Sequence, residues 1–166
     1  FHAQVDLEHA KISSILEDRD GNIWLGLFQK GVFMQPHQDS GFSYVGYKSG
    51  RYDIIGSACV MSVYAGKDCT LWVGTDNDGL YALDMKSYAV SHYSSDTGGL
   101  PATITSIVED KDGKLWLGSY LGGAGWLDRQ TGQFNRLPFT CRGMAVHVFR
   151  LLADAEDNLW IATLGD

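Results

Sequence analysis

Short apolar stretches separated by polar turns run the length of the chain. Ile12 to Leu16 is apolar and bounded by polar residues. The turn Asp18-Arg19-Asp20-Gly21-Asn22 follows, then the apolar triplet Ile23-Trp24-Leu25. Asp and Gly supply the side-chain-bonded and left-handed positions of a tight hairpin, and Ile, Trp and Leu suit a pleated surface. Gly31-Val32-Phe33 opens a third stretch and Phe42-Ser43-Tyr44-Val45 a fourth. No window carries a sustained 3.6-residue period, so strands are predicted throughout.

This four-stretch unit recurs. Trp24, Trp72, Trp116 and Trp160 stand 48, 44 and 44 residues apart. Twelve residues before each lie Ile12, Val60, Ile104 and Val148, and nine before lie Ile15, Val63, Ile107 and Leu151. Two after lie Gly26, Gly74, Gly118 and Ala162. Third stretches begin again at Gly79-Leu80-Tyr81 and Gly123-Ala124-Gly125-Trp126. Fourth stretches are Val90-Ser91-His92-Tyr93 and Phe134-Asn135-Arg136-Leu137. Four antiparallel strands in about 44 residues is the size of a propeller blade. The predicted fold is all-β: a partial β-propeller over 1–166, with about four blades at 11–47, 59–93, 103–137 and 147–166. The last blade is incomplete, residues 1–5 form the last strand of a preceding blade, and the whole is part of a seven- or eight-bladed ring. Trp24, Trp72, Trp116 and Trp160 are then expected to be buried between blades, and the glycine after each lets strands approach closely.

The stretch Ile104 to Ser119, Ile-Thr-Ser-Ile-Val-Glu-Asp-Lys-Asp-Gly-Lys-Leu-Trp-Leu-Gly-Ser, resembles the two-component regulator propeller repeat. Ile12 to Leu27 matches equally well. The second unit departs from the pattern with Ala65-Gly66 and Cys69, and the fourth with Asp157-Asn158 at the turn. Leu127-Asp128-Arg129-Gln130-Thr131-Gly132-Gln133-Phe134 is similar to the family's Leu-Asp-x-x-Thr-Gly-x-Phe hairpin. The resemblance implies the extracytoplasmic, periplasmic sensor of a membrane-bound histidine kinase of the Bacteroidetes type. Such a sensor binds an oligosaccharide and controls transcription.

Composition narrows the alternatives. Thirteen Lys and Arg against 20 Asp and Glu leave a net charge of −7, a poor match for nucleic acid or an anionic membrane surface. No apolar run approaches the roughly 18 residues of a spanning helix. Cys59, Cys69 and Cys141 form neither a disulfide framework nor a zinc pattern. The five histidines, His2, His9, His37, His92 and His147, lack metal-ligand spacing, so neither metal nor cofactor is expected. Asp18-x-Asp20-Gly21-Asn22 is like the start of a calcium loop, but its twelfth position is Gln29 where a Glu is needed. The sialidase-type box needs Asp five before the Trp, where Arg19, Lys67, Lys111 and Ala155 stand. The acid pairs Glu17/Asp18 and Glu109/Asp110 repeat at turns, which does not suit a catalytic pair.

Blade topology places the Asp-Gly turns and the third-to-fourth-strand turns on one face. The second-to-third loops and the blade connections lie on the other. The second group varies and suits recognition. It contributes the candidate ligand residues Arg51, Tyr52, Asp53, Asp76, Asp78, Tyr120 and Arg142, the aromatic, carboxylate and guanidinium types that bind sugars. Arg150 replaces Ser14, Ser62 and Ser106 on an innermost strand and is expected to face the central channel. The leading expectation is a glycan-sensing, non-enzymatic module that self-associates, as a homodimer, through open blade flanks. The rivals are a polysaccharide lyase or hydrolase and a purely structural propeller.

Overall fold

The computed structural model describes residues 10–37, 43–45, 55–56, 58–96, 98–141 and 144–164. The first sheet contains β1 (Ile12–Glu17), β2 (Ile23–Leu27), β3 (Gly31–Gln35) and β4 (Ser43–Val45). The second contains β5 (Val60–Ala65), β6 (Thr70–Thr75), β7 (Leu80–Asp84) and β8 (Val90–Tyr93). The third contains β9 (Ser106–Glu109), β10 (Leu115–Ser119), β11 (Gly123–Leu127) and β12 (Phe134–Arg136). A small hairpin, β13 (Thr140–Cys141) and β14 (Met144–Ala145), leads to β15 (His147–Ala153) and β16 (Leu159–Leu164). Strands pair in sequence order, always antiparallel, and no helix occurs among the described residues. The fold is that of propeller blades, the fourth with two strands. The sequence expectation for 1–5 lies outside the described residues.

The first hairpins of the first, third and fourth blades are built alike. Asp18 Oδ1 accepts from the amides of Asp20 (3.0 Å) and Asn22 (2.9 Å), and its Oδ2 accepts from Trp24 Nε1 at 2.7 Å. Asp110 and Asp154 hold Trp116 Nε1 and Trp160 Nε1 in the same way, at 2.8 and 2.7 Å. The left-handed turn position is Gly21 or Gly113 in two blades, but Cys69 (φ 64°) and Asp157 (φ 68°) in the others. In the second blade Gly66 replaces the carboxylate, and buried Trp72 Nε1 has no partner. Arg129 lies over that ring instead, 5.2 Å from its centroid, and bridges Asp68 (3.0 Å) and Glu109 (2.9 Å).

Blades stack through their small residues. A Cβ on Gly74 would lie 2.7 Å from the Ile104 carbonyl oxygen, and one on Gly118 would lie 2.7 Å from Val148 Cγ1. Val60, Ile104 and Val148 are thereby completely buried against the preceding blade. The first strand bulges between Ile12 and Ser14, between Val60 and Ser62, and between Val148 and Arg150. A bulge aims two successive residues at the same side. Ser13 Oγ donates to the Val60 carbonyl (2.7 Å), Ser62 Oγ to that of Ile104 (3.1 Å), and Thr105 Oγ1 to that of Val148 (2.8 Å).

Two expectations are corrected here. Trp24 and Trp72 are 2% exposed and Trp116 is half-buried, but Trp160 is 61% exposed. Each of the first three packs in a cluster with residues of the following blade. No following blade is among the described residues to cover Trp160. Arg150, also exposed, does not stand at a channel position. Its equivalents Ser62 and Ser106 meet the next blade, Ser106 Oγ accepting the Leu151 amide at 2.9 Å. Arg150 therefore lies on the forward flank of the fourth blade, beside the exposed Leu152 and Trp160.

Candidate functional site

The two rims of the blades are distinct. On one, the hairpin turns of successive blades are tied together. Arg19 donates to the Lys67 carbonyl at 3.4 Å, Lys67 Nζ to the Asp110 carbonyl at 2.6 Å, and the Lys111 amide to Asp157 Oδ1 at 3.2 Å. Arg129, from the β11–β12 turn, joins the same rim. These groups are spent on one another, so this rim is structural.

The other rim carries the β2–β3, β6–β7 and β10–β11 loops. Here a cleft of about 560 Å³ opens, lined by Gln29, Ala58, Cys59, Asp76, Asn77 and Asp78. Gln29 and Asn77 stand five residues after Trp24 and Trp72, and both are left-handed, with φ of 59° and 69°. The same loop bend thus presents an amide from each of two neighbouring blades. Asp76 is fixed from both ends: its amide donates to the Cys59 carbonyl at 2.8 Å, and its Oδ1 accepts the Thr103 hydroxyl at 2.9 Å.

Asp78 is held by two strand residues. Tyr81 Oη donates to Asp78 Oδ2 at 2.6 Å, and His92 Nε2 lies 2.7 Å from the Asp78 carbonyl and 3.4 Å from Oδ1. The Tyr81 and His92 rings stack at 4.2 Å and 10°. Burial, and then the bond to Asp78, push the Tyr81 hydroxyl up to about 12. Tyr81 therefore remains a proton donor to Asp78 throughout the physiological range. Its oxygen also receives the Gly56 amide at 3.4 Å.

Of the sequence-derived candidates, the structure brings Asp76 and Asp78 together in the cleft. Tyr120 is on the same rim, exposed, one blade further on, and does not line the cleft. Its ring stacks on His147 at 4.8 Å, and His147 Nδ1 meets the Tyr120 carbonyl. Arg150 is away from it, on the flank. Arg51, Tyr52, Asp53 and Arg142 lie outside the described residues. Sequence reasoning did not single out Gln29, Asn77, Tyr81 or His92. The first two were detectable as equivalent loop positions, whereas Tyr81 and His92 read only as strand residues. No group of three or more His, Cys, Asp or Glu able to hold a metal occurs among the described residues, and Cys59 and Cys69 are free thiols.

Known proteins share the fold and part of the repeat. Residues 6–29 and 98–121 match the family model described as two component regulator propeller. Those two segments are similar to two-component regulator propeller repeats. No curated protein matches it. Among solved structures it is similar to the extracellular domain of BT3049 from B. thetaiotaomicron, assigned to the hybrid two component systems. The TM-score is 0.74 at 23% identity, over 90% of this chain and 20% of that one. The extracellular domain of BT4673 from the same organism, assigned to the one component systems, gives 0.58 at 24% identity, over 96% and 26%. The WD40 β-propeller domain of Doa1 gives 0.63 at 9% identity, over 93% and 48%. At these identities the likeness is one of fold. The chain spans about a fifth of the first of these proteins.

Proposed function

We propose that the chain is a ligand-sensing, non-catalytic part of the extracytoplasmic, periplasmic region of a two-component sensor histidine kinase. On this reading it binds an oligosaccharide on the rim of the β2–β3 and β6–β7 loops and passes the event across the membrane to transcription. The cleft between two blades carries the proposal. It offers two positioned carboxylates and two amides, while exposed Phe28 of the first blade and Tyr120 of the third stand on the same rim outside its lining. Polyhydroxylated ligands are bound by such polar groups beside aromatic planes. The family match and the extracellular character of the two Bacteroides neighbours support the setting. Arg51, Tyr52, Asp53 and Arg142 belong to the proposed ligand set by their place in the blade connections. Self-association through the exposed flanks, with Ile12 and Ile15 on one and Leu152 and Trp160 on the other, is part of the same proposal. Calorimetric titration of the chain with oligosaccharides from plant and host polysaccharides tests the binding. Saturable heat that disappears in Asp76→Ala and Asp78→Ala supports it, and absence of binding across the panel refutes it.

A further inference from the structure

The hairpin rim where the second blade meets the third departs from its neighbours at three positions together. Six residues before the Trp stand Asp18, Asp110 and Asp154, but Gly66 in the second blade. Seven before it, on the first strand, the second and fourth blades have Ala65 and Ala153, but the third has Glu109. Glu17 of the first blade meets no preceding blade among the described residues. Thirteen after the Trp, in the turn between the third and fourth strands, the second blade has Met85 and the third has Arg129. Met85 packs in the cluster of Trp24, whose indole N–H is held by Asp18 of its own blade. Arg129 takes the corresponding place over the Trp72 ring, where the carboxylate is replaced by Gly66.

The three changes act on one another. Arg129 donates through Nη1 to Asp68 of the second blade at 3.0 Å, and through Nη2 to Glu109 of its own blade at 2.9 Å. The Glu109 side chain is almost fully buried, and its other oxygen, Oε2, accepts the Lys67 amide at 3.0 Å. Lys67 Nζ reaches back to the Asp110 and Lys111 carbonyls at 2.6 and 3.3 Å. In the first blade a carboxylate of the same hairpin, Asp18, accepts the turn amides of Asp20 and Asn22. In the second, Asp68 keeps the Thr70 amide at 3.2 Å, while the Lys67 amide goes to a carboxylate of the next blade. The rim bonds at the neighbouring junctions, Arg19 to the Lys67 carbonyl and the Lys111 amide to Asp157, are longer and exposed.

We infer that Arg129 and Glu109 form an interblade strap, a conformational device that makes the order of the second blade's hairpin conditional on the third blade. Charge-assisted bonds to a buried carboxylate, with the guanidinium over the Trp72 ring, supply from the neighbour what Asp18 and Asp110 supply within their own hairpins. Moving the third blade away from the second releases residues 66–70. The hairpin at 18–22, anchored by Asp18, stays closed. The turn at 66–70 is therefore the rim element that reports the spacing of these two blades.

Residue-resolved amide exchange of the 166-residue chain tests the strap, read at Gly66 and Thr70, with 18–22 as the internal reference. The Gly66 amide bonds the Thr70 carbonyl at 2.7 Å inside the hairpin and touches neither strap residue. The double variant Arg129→Met, Glu109→Ala installs the residue types of Met85 and Ala65, and removes both charges so that neither is left buried alone. Arg129→Lys keeps the charge but loses the fork that spans two acids, and it decides the matter if the double variant does not fold. Exchange at 66–70 is expected to rise about tenfold in the double variant and about threefold in Arg129→Lys, with 18–22 changing less than about twofold. Adding Gly66→Asp to the double variant restores a carboxylate within the hairpin and is expected to bring exchange back to within about threefold of the parent. Unchanged exchange at 66–70 overturns the inference. So does an equal rise at 18–22, which is general loss of stability, and so does a Gly66→Asp variant that recovers nothing.

Discussion

Gly74→Ala is the substitution that bears hardest on the stacking of blades. The added Cβ would sit 2.7 Å from the Ile104 carbonyl oxygen, 2.9 Å from Ile104 Cβ, and in contact with Ser62 Oγ. Real Cβ atoms do not approach this closely, so something must move. Ile104 cannot yield easily: it is fully buried, and its amide is bonded to the Thr75 carbonyl at 2.9 Å. Ser62 can rotate, but only by giving up its 3.1 Å bond to the Ile104 carbonyl. Overpacking costs about 1–3 kcal/mol, and the lost bond about 1 kcal/mol more. A total near 3 kcal/mol lowers the melting temperature by roughly 6–12 °C in a domain of this size. Urea and thermal unfolding, followed by tryptophan fluorescence and circular dichroism, measure it. Ala162→Ser is the control, because the same repeat position is exposed in the fourth blade and the change should fall within about 0.5 kcal/mol. A Gly74→Ala protein as stable as the parent would mean that these two blades do not pack as described.

Asp110→Ala should destabilise by about 1–3 kcal/mol in urea titration, because Trp116 Nε1 and the Lys114 amide both lose their acceptor. Burial raises the pKa of Asp18 and Asp110, but hydrogen bonds led by those of Trp24 and Trp116 outweigh it and leave both lowered. A lowered folded pKa gives stability that is present above the unfolded value and lost as pH falls through the folded one. Acid titration of stability should therefore decline below about pH 4, and a flat profile there would contradict the hairpin bonds. Cys69→Gly should stabilise by about 0.5–1 kcal/mol in the same urea assay, because it relieves a left-handed residue. Tyr81, with a folded pKa raised to about 12, contributes stability that is present below its unfolded value near 10 and lost as pH rises towards 12. Burial raises Tyr64 as well, so ultraviolet titration should find late-ionising tyrosines, of which the one nearest 12 vanishes in Tyr81→Phe.

The blade plan was legible because the apolar interblade contacts repeat. Ile104 must meet Gly74 as Val148 meets Gly118, so residue types recur at fixed distances from the Trp. Trp160 shows the limit: its position predicts burial, but burial depends on the blade that follows. The bulge was illegible because its residues, Ser13, Met61 and Phe149, share no chemistry. Arg150 is expected in the channel only because it replaces a small residue on an innermost strand, which does not say which way its side chain turns. The cleft was half legible. Asp76 and Asp78 belong to one variable loop, but Gln29 enters from a loop 48 residues earlier, and His92 engages a main-chain carbonyl that no side-chain pattern encodes.

Hydrogen–deuterium exchange, with and without the tightest-binding oligosaccharide, tests most directly where the ligand sits. The loop-rim account predicts added protection on the loop rim, at residues 28–31 and 76–79 and in the blade connections around 51–53 and 142, with the hairpin rim at 66–69, 110–113 and 128–132 unchanged. Protection on the hairpin rim, with the loops unaffected, would contradict it.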